Sequence, residues 1–193
     1  QYNHIQEVDR GLGDARTYIG KIVYDFLDKY ESYQYEKDNA TISENNYLEL
    51  KKKFGHLASW AIWKMPDGKP KSNTSDLTIF NDEQILSKLN TNYVFVGLNA
   101  AANHGDYNEE KHDWHCFHSA YAFQNDYKLR YALADTRFWG SYITDIIKEH
   151  KETDSSKVVS YIKKNPEILA KNIQLFEEEL GLLGGNPVLI ALG

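Results

Sequence analysis

In the second half of the chain, short and almost wholly apolar runs alternate with stretches of helical spacing. The runs are Tyr93 to Gly97 (YVFVG), Tyr142 to Ile147 (YITDII) and Val188 to Leu192 (VLIAL). Runs of this length and texture predict strands buried on both faces, as in a parallel sheet. Between them, Tyr127 to Leu133 has helical spacing, Ser155 and Ser156 are expected to cap a short helix to Lys164, and Pro166 opens a longer one to about Leu183. Proline is tolerated at the first helical position, and Gly184 and Gly185 supply the stop. Strands alternating with helices predict an α/β fold, a three-layer α/β/α arrangement around a mostly parallel sheet.

Residues 1 to about 90 read differently. Ala15 to Tyr30 carries apolar residues at Tyr18, Ile19, Ile22, Val23, Phe26 and Leu27, the spacing of an amphipathic helix. Glu36 to Asn45 is polar and predicts a loop. A second helix is expected from about Asn46 to Phe54, ended by Gly55. His56 to Met65 (HLASWAIWKM), stopped by Pro66, fits helix or strand equally. Pro66 to Ser75 predicts a loop, and Asn81 to Leu89 a short helix with Asn81 as cap and Gln84 at the capping-box position. The expected organisation is a helical N-terminal region over 1–90 packed on an α/β core over 91–193. The chain opens without Met and stops at Gly193 directly after a predicted strand, so a fragment truncated at its C-terminus is expected.

Composition narrows the function. One cysteine in 193 residues excludes an intrachain disulfide framework. No apolar run approaches the roughly 20 residues of a membrane span, and no charged-then-apolar leader opens the chain, so a cytoplasmic protein with no membrane partner is expected. Net charge is 22 − 28 = −6. A protein that holds nucleic acid by bulk charge is normally basic, although a local groove can be basic on an acidic chain. Aromatic residues make up 13% of the chain, enough for a stacking pocket as well as a core.

Ligands of open α/β sheets sit beyond the carboxyl ends of the strands, here Gly97-Leu98-Asn99, Thr144-Asp145 and Gly193. In the first candidate segment, Gly97 to Gly105, small residues leave backbone N–H groups accessible to a ligand oxygen, and Asn99 offers a donor and an acceptor. It reads equally as a small-residue turn packing strand to helix. The second is His112 to His118. Its three histidines and Cys116 invite a metal reading, but no paired-cysteine or HExxH pattern accompanies them. An aromatic-bearing loop with solvated histidines is the expectation, and neither metal nor cofactor is called for. The third is Trp139 to Lys148, where Asp145 closes an apolar run. A carboxylate there is costly to bury unless paired or functional. Its structural reading is a helix cap or an ion pair with Lys148 or Arg137. There is no G-x-S-x-G elbow, P-loop or G-x-G-x-x-G fingerprint.

Together and in this order, the three segments resemble the uracil-DNA glycosylase superfamily. Gly97-Leu98-Asn99 is similar to the G-I-N of the mismatch-specific branch, with Ala100-Ala101 in place of Pro-Gly. Cys116-Phe117-His118 resembles a Cys-Phe-Ser run whose Phe stacks on the flipped base. Tyr142-Ile143-Thr144-Asp145-Ile146-Ile147-Lys148 resembles Y-I-T-N-V-V-K, with Asp for the base-reading Asn. The family's last motif, an H-P-S-type loop, would begin where the chain stops. The resemblance covers roughly the second half of the chain. It implies that Phe117 stacks on a base, that Asp145 reads its edge and that Asn99 positions the attacking water. Gly97, Leu98, Ala100, Ala101, Asn103, His104, His115 and His118 would line the substrate site. An ionised Asp can only accept hydrogen bonds, so it would favour a donor-rich edge such as an amino group of cytosine or adenine, or guanine N1–H and N2–H. Three readings follow: N-glycosidic cleavage in nucleic acid or in a nucleoside or nucleotide, non-catalytic base or nucleotide binding, and a protein-interaction module. The partners expected are accordingly a single-stranded or flipped base in nucleic acid, a free nucleoside or nucleotide, or another protein.

Overall fold

The computed structural model describes residues 41–99, 112–121, 124–148 and 150–192. The helix expected over Ala15 to Tyr30 lies outside them. Ser43 caps helix α1 (Glu44–Phe54) by accepting from the Asn46 N–H, and Gly55 ends it in a right-handed conformation, not the left-handed one expected of a terminal glycine. The ambiguous apolar run that follows is extended, with strand β1 at Ala58–Trp60. Both of its faces are covered: Trp60, Ala61, Ile62 and Trp63 are all buried.

A 3-10 turn spans Leu77–Asn81 and the four-residue helix α2 spans Ile85–Lys88. The helix expected from Asn81 is therefore shorter and later. Asp82, not Asn81, accepts from the Gln84 N–H, at 2.8 Å. Strand β2 (Asn90–Asn99), helix α3 (Asp126–Leu133), strand β3 (Ser141–Ile147), helix α4 (Ser155–Lys164), helix α5 (Pro166–Leu183) and strand β4 (Val188–Ala191) complete the described elements. Asp154 caps α4, where Ser155 and Ser156 were expected to.

The sheet runs β1-β3-β2-β4. β3 lies parallel to β2, which lies parallel to β4, while β1 pairs antiparallel with β3. The protein is thus mixed α/β, with a mostly parallel four-stranded sheet and five α-helices among the described residues. β4 corrects one expectation. Among the described residues it is an edge strand, not a doubly buried one, and Val188 is 39% exposed. A short apolar run carries no record of whether one neighbour or two will pair with it.

Successive strand residues face opposite sides of a sheet. Val94, Val96, Tyr142 and Ile146 join one apolar cluster with residues of α1, α4 and α5. Phe95 and Ile143 join a second, with Ala61, Trp63, Leu133 and, at its margin, Phe117. Because β1 and α1 share the first cluster with β3 and α5, the boundary expected near residue 90 falls inside one sheet and one core. No helix among the described residues is long and apolar enough to cross a membrane.

Candidate functional site

Parallel pairing of β2 and β3 sets Gly97 opposite Asp145. Gly97 lies two residues beyond Phe95, and Asp145 two beyond Ile143, so both face the side of the second cluster. A methyl group on Gly97 would lie 2.3 Å from Asp145 Oδ1, so the carboxylate rests directly on the Gly97 backbone. Asp145 is only 6% exposed, and no hydrogen bond from a described residue reaches its carboxylate.

The structural explanations expected for this acid do not apply. Asp145 lies inside a strand, not at a helix cap. Arg137 stacks over Tyr93 and Phe138. Lys148 folds back along the other face of the sheet, where its Nζ donates to Thr144 Oγ1 and to the Asp145 backbone carbonyl, each at 2.7 Å, and pairs with Glu179 Oε2 at 2.5 Å. An ammonium has three N–H donors, so this one is fully engaged. Burial pushes the Asp145 carboxyl up to about 7. The positive charge of Lys148 opposes that rise, and the negative charges of Glu179 and Asp126 add to it.

The segment 112–121 reaches both cores, with Trp114 in the first cluster and Phe117 at the margin of the second. The Trp114 N–H donates to the Gly55 carbonyl at 2.6 Å, and Trp114 Nε1 donates to the Tyr47 hydroxyl at 2.9 Å. Trp114 and Phe117 both adopt left-handed backbone angles, with φ of 66° and 61°. Such angles cost a bulky residue about 1–2 kcal/mol each and persist only where surrounding contacts impose them. For Phe117 one such contact is the Trp63 indole, which donates to its carbonyl at 3.1 Å. The Phe117 side chain is partly buried against the second cluster, on the same side of the sheet as Asp145.

Cys116 Sγ lies 3.6 Å from the His56 carbonyl and 3.9 Å from His115 Nε2. Burial first, and the negative charge of Asp145 second, push its thiol up to about 12. A thiol so disfavoured as thiolate is no nucleophile at neutral pH. His115 Nδ1 lies 2.7 Å from the His112 carbonyl. His118 is buried in the core. Its Nε2 lies 2.9 Å from the Ile62 carbonyl, its Nδ1 lies 2.9 Å from the Cys116 carbonyl and 3.2 Å from Ser59 Oγ, and its ring stacks on Trp63. Burial lowers its pKa, and the structure holds His118 inside the core, where the resemblance implied a substrate contact. No group of three His, Cys, Asp or Glu among the described residues could hold a metal ion.

Asn99, at the end of β2, donates through Nδ2 to the carbonyls of His150 and Glu152, at 3.1 and 2.8 Å. It ties β2 to the loop that follows β3. Leu98 packs on the first cluster, away from Gly97 and Asp145. Ala100, Ala101, Asn103 and His104 lie outside the described residues. Thus Gly97 and Asp145 meet, Cys116 lies close enough to Asp145 for their charges to interact, and Phe117 shares their side of the sheet.

Two groups escaped the sequence reasoning. Asp126, in the first turn of α3, accepts from the Ser119 N–H at 2.8 Å, and burial raises its pKa. Glu179 is fully buried, and its Oε1 accepts from the hydroxyls of Tyr142 at 2.6 Å and Thr144 at 2.8 Å. The signal for Glu179 was present. Asn172, Phe176, Glu179 and Leu183 fall on one helical stripe and are the buried residues of α5. Polar residues in such a stripe mark a buried network. Comparison with protein-family models, curated proteins and solved structures finds no match for this chain.

Proposed function

We propose that this chain is a uracil-DNA glycosylase-like core of three layers, whose Gly97–Asp145 site takes a nucleobase and cleaves its N-glycosidic bond. The observation that carries the reading is the Asp145 carboxylate. It is buried over a glycine, with no hydrogen-bond donor among the described residues. A buried carboxylate kept only for structure is normally paired. No described residue meets this one, and a base edge offers polar groups that would.

In this reading Gly97 removes the side chain that would otherwise fill the floor, Asp145 meets the base edge, and Phe117 stacks on the base. Water adds at the sugar C1′ carbon, the C1′–N bond breaks with its electron pair leaving on the base, and the proton lost by the water neutralises the departing base. Asn99 positions that water through its carbonyl oxygen. The substrate is a base in nucleic acid or in a free nucleoside or nucleotide.

One observation favours a second reading, in which the chain binds a base without turnover. The Asn99 amide nitrogen is held by two backbone carbonyls. The test is base release followed by mass spectrometry. Substrates are single- and double-stranded oligonucleotides carrying uracil, hypoxanthine, xanthine or the normal bases, together with a nucleoside panel. Release is expected, and it should fall about a hundredfold or more in Asn99→Ala and in Asp145→Leu. Saturable binding without release would favour the second reading. Neither binding nor release would overturn both.

A further inference from the structure

Helix α3 and the 64–72 loop form a second surface, built from residues that the base site does not use. Arg130 fixes the two together: its buried guanidinium donates to the carbonyls of Lys64, Pro70 and Ser72. The loop is also braced from within. Asn73 Nδ2 donates to the Met65 carbonyl at 2.9 Å, and Ser72 Oγ accepts from the Asp67 N–H at 2.7 Å. Lys71 crosses to the helix, with its Nζ 4.9 Å from the centre of the Tyr127 ring and 3.3 Å from the Gln124 carbonyl. A surface held in this way needs little ordering when a partner arrives.

Five large apolar side chains stand exposed among the described residues, and three of them, Met65, Tyr121 and Tyr131, lie here. Met65 and Tyr131 are 57% and 51% exposed. Arg130 links these two, since it bonds the Lys64 carbonyl just before Met65 and lies 5.6 Å from the centre of the Tyr131 ring. Tyr121 borders them through Gln124, whose N–H donates to the Tyr121 carbonyl. Exposed apolar side chains gathered inside a polar rim mark an interaction surface. The rim has a sign. Residues 64–72 and 124–131 carry five cations against two acids, a net of +3 on a chain of net −6. Lys64 pairs with Asp76 at 2.8 Å, and the Asp126 carboxylate takes the Ser119 N–H. The exposed Lys69 and Lys128 carry the surplus charge outward.

We propose that this surface docks an acidic peptide segment of another protein, with one large apolar side chain packed on Met65 and Tyr131 and its carboxylates beside Lys69 and Lys128. A nucleic-acid strand would match the charge but not the shape. Successive stacked bases lie parallel and need rings presented in the same sense. Tyr127 and Tyr131 stand edge to face, with 89° between their planes, and cations already lie over both rings. A flexible thioether such as that of Met65 adapts instead to the shape of an apolar side chain.

The test is fluorescence polarisation of the full chain with short labelled peptides, each placing one large apolar residue between runs of glutamate and aspartate. The comparators are the same peptides with lysine for every acid, the same peptides with alanine at the centre, and a labelled thymidine oligonucleotide of equal charge. Saturable binding of at least one acidic peptide is expected, and it should weaken as salt is raised. Lys69→Glu with Lys128→Glu, and separately Met65→Ser with Tyr131→Ser, should each weaken it about tenfold or more. All four side chains are exposed, and circular dichroism checks that both double variants keep the fold. Alanine at the centre of the peptide should cost about as much as the Met65 and Tyr131 changes. Undiminished binding in either double variant, equal binding of the lysine peptides, or tighter binding of the oligonucleotide would overturn the proposal. So would the absence of saturable binding by every acidic peptide.

Discussion

Asp145 rests on Gly97, and the sign of its ionisation sets a stability signature. Its carboxyl is raised from the ordinary 3.8 to about 7, so the folded chain holds this proton more tightly than the unfolded chain. Ionisation therefore costs nothing below about pH 4. The cost grows as pH rises towards 7 and is complete above it. The interval corresponds to on the order of 4 kcal/mol as an upper bound. Asp145→Asn is expected to raise the urea midpoint at about pH 8 and to leave it nearly unchanged at about pH 4. An equal effect at both pH values would show that the carboxylate is not the destabilising group. Native proteins keep such a group where a function needs it. His118 has the opposite sign. Buried and held neutral, it withdraws stability as pH falls below its ordinary value of 6.5.

At the scale of elements, α5 and β3 are joined by a polar lock inside an apolar contact. Glu179 receives Tyr142, Thr144 and Lys148, and Lys148 lies between the rings of Phe54 and Phe176. Its backbone N–H donates to Asn172 Oδ1 at 2.7 Å, which fixes the end of β3 against the same helix. Removing one partner of a buried pair leaves the other charge uncompensated. Glu179→Gln is expected to lower unfolding stability by about 3–5 kcal/mol, and adding Lys148→Met should recover part of that loss in the same urea titration. Without such recovery, the lost hydroxyl contacts and not the stranded ammonium would be responsible. α3 uses a different device. The Arg130 guanidinium, buried in the described fold, donates to the carbonyls of Lys64, Pro70 and Ser72 and holds the 64–72 loop against the helix.

On the scale of the whole molecule, the β1 and α1 contributions bind the two halves of the chain together. The sheet separates two cores: Trp60 and Trp114 lie in the first, Trp63 in the second, and Trp139 touches both. Neither face can open without exposing a strand that the other also needs. Tryptophan fluorescence and far-ultraviolet circular dichroism are therefore expected to give one coincident urea transition. Two separated transitions would mean that the region before residue 90 unfolds on its own.

Local rules were enough for much of this. Pro166 at the start and Gly184 at the end, with a left-handed φ of 72°, delimit α5 from the sequence alone, because proline and glycine act on their own backbone. The apolar texture of β2 and β3 was also legible, because strands buried on both faces are apolar almost throughout; Gly97 and Asp145, read as standing at strand ends, instead lie two residues inside them. Other features depended on partners distant in sequence. The run at 56–65 became a strand because β3 offered it an edge. β4 stayed half exposed because only β2 pairs with it among the described residues. His118 turned inward because Ile62 and Ser59 were there to receive its nitrogens. The state of Asp145 was settled in the same way. The sequence by itself determined that a carboxylate would stand in an apolar strand. Only the tertiary structure decided that Lys148 would serve Glu179 on the far face, leaving that carboxylate buried and without an ion-pair partner among the described residues.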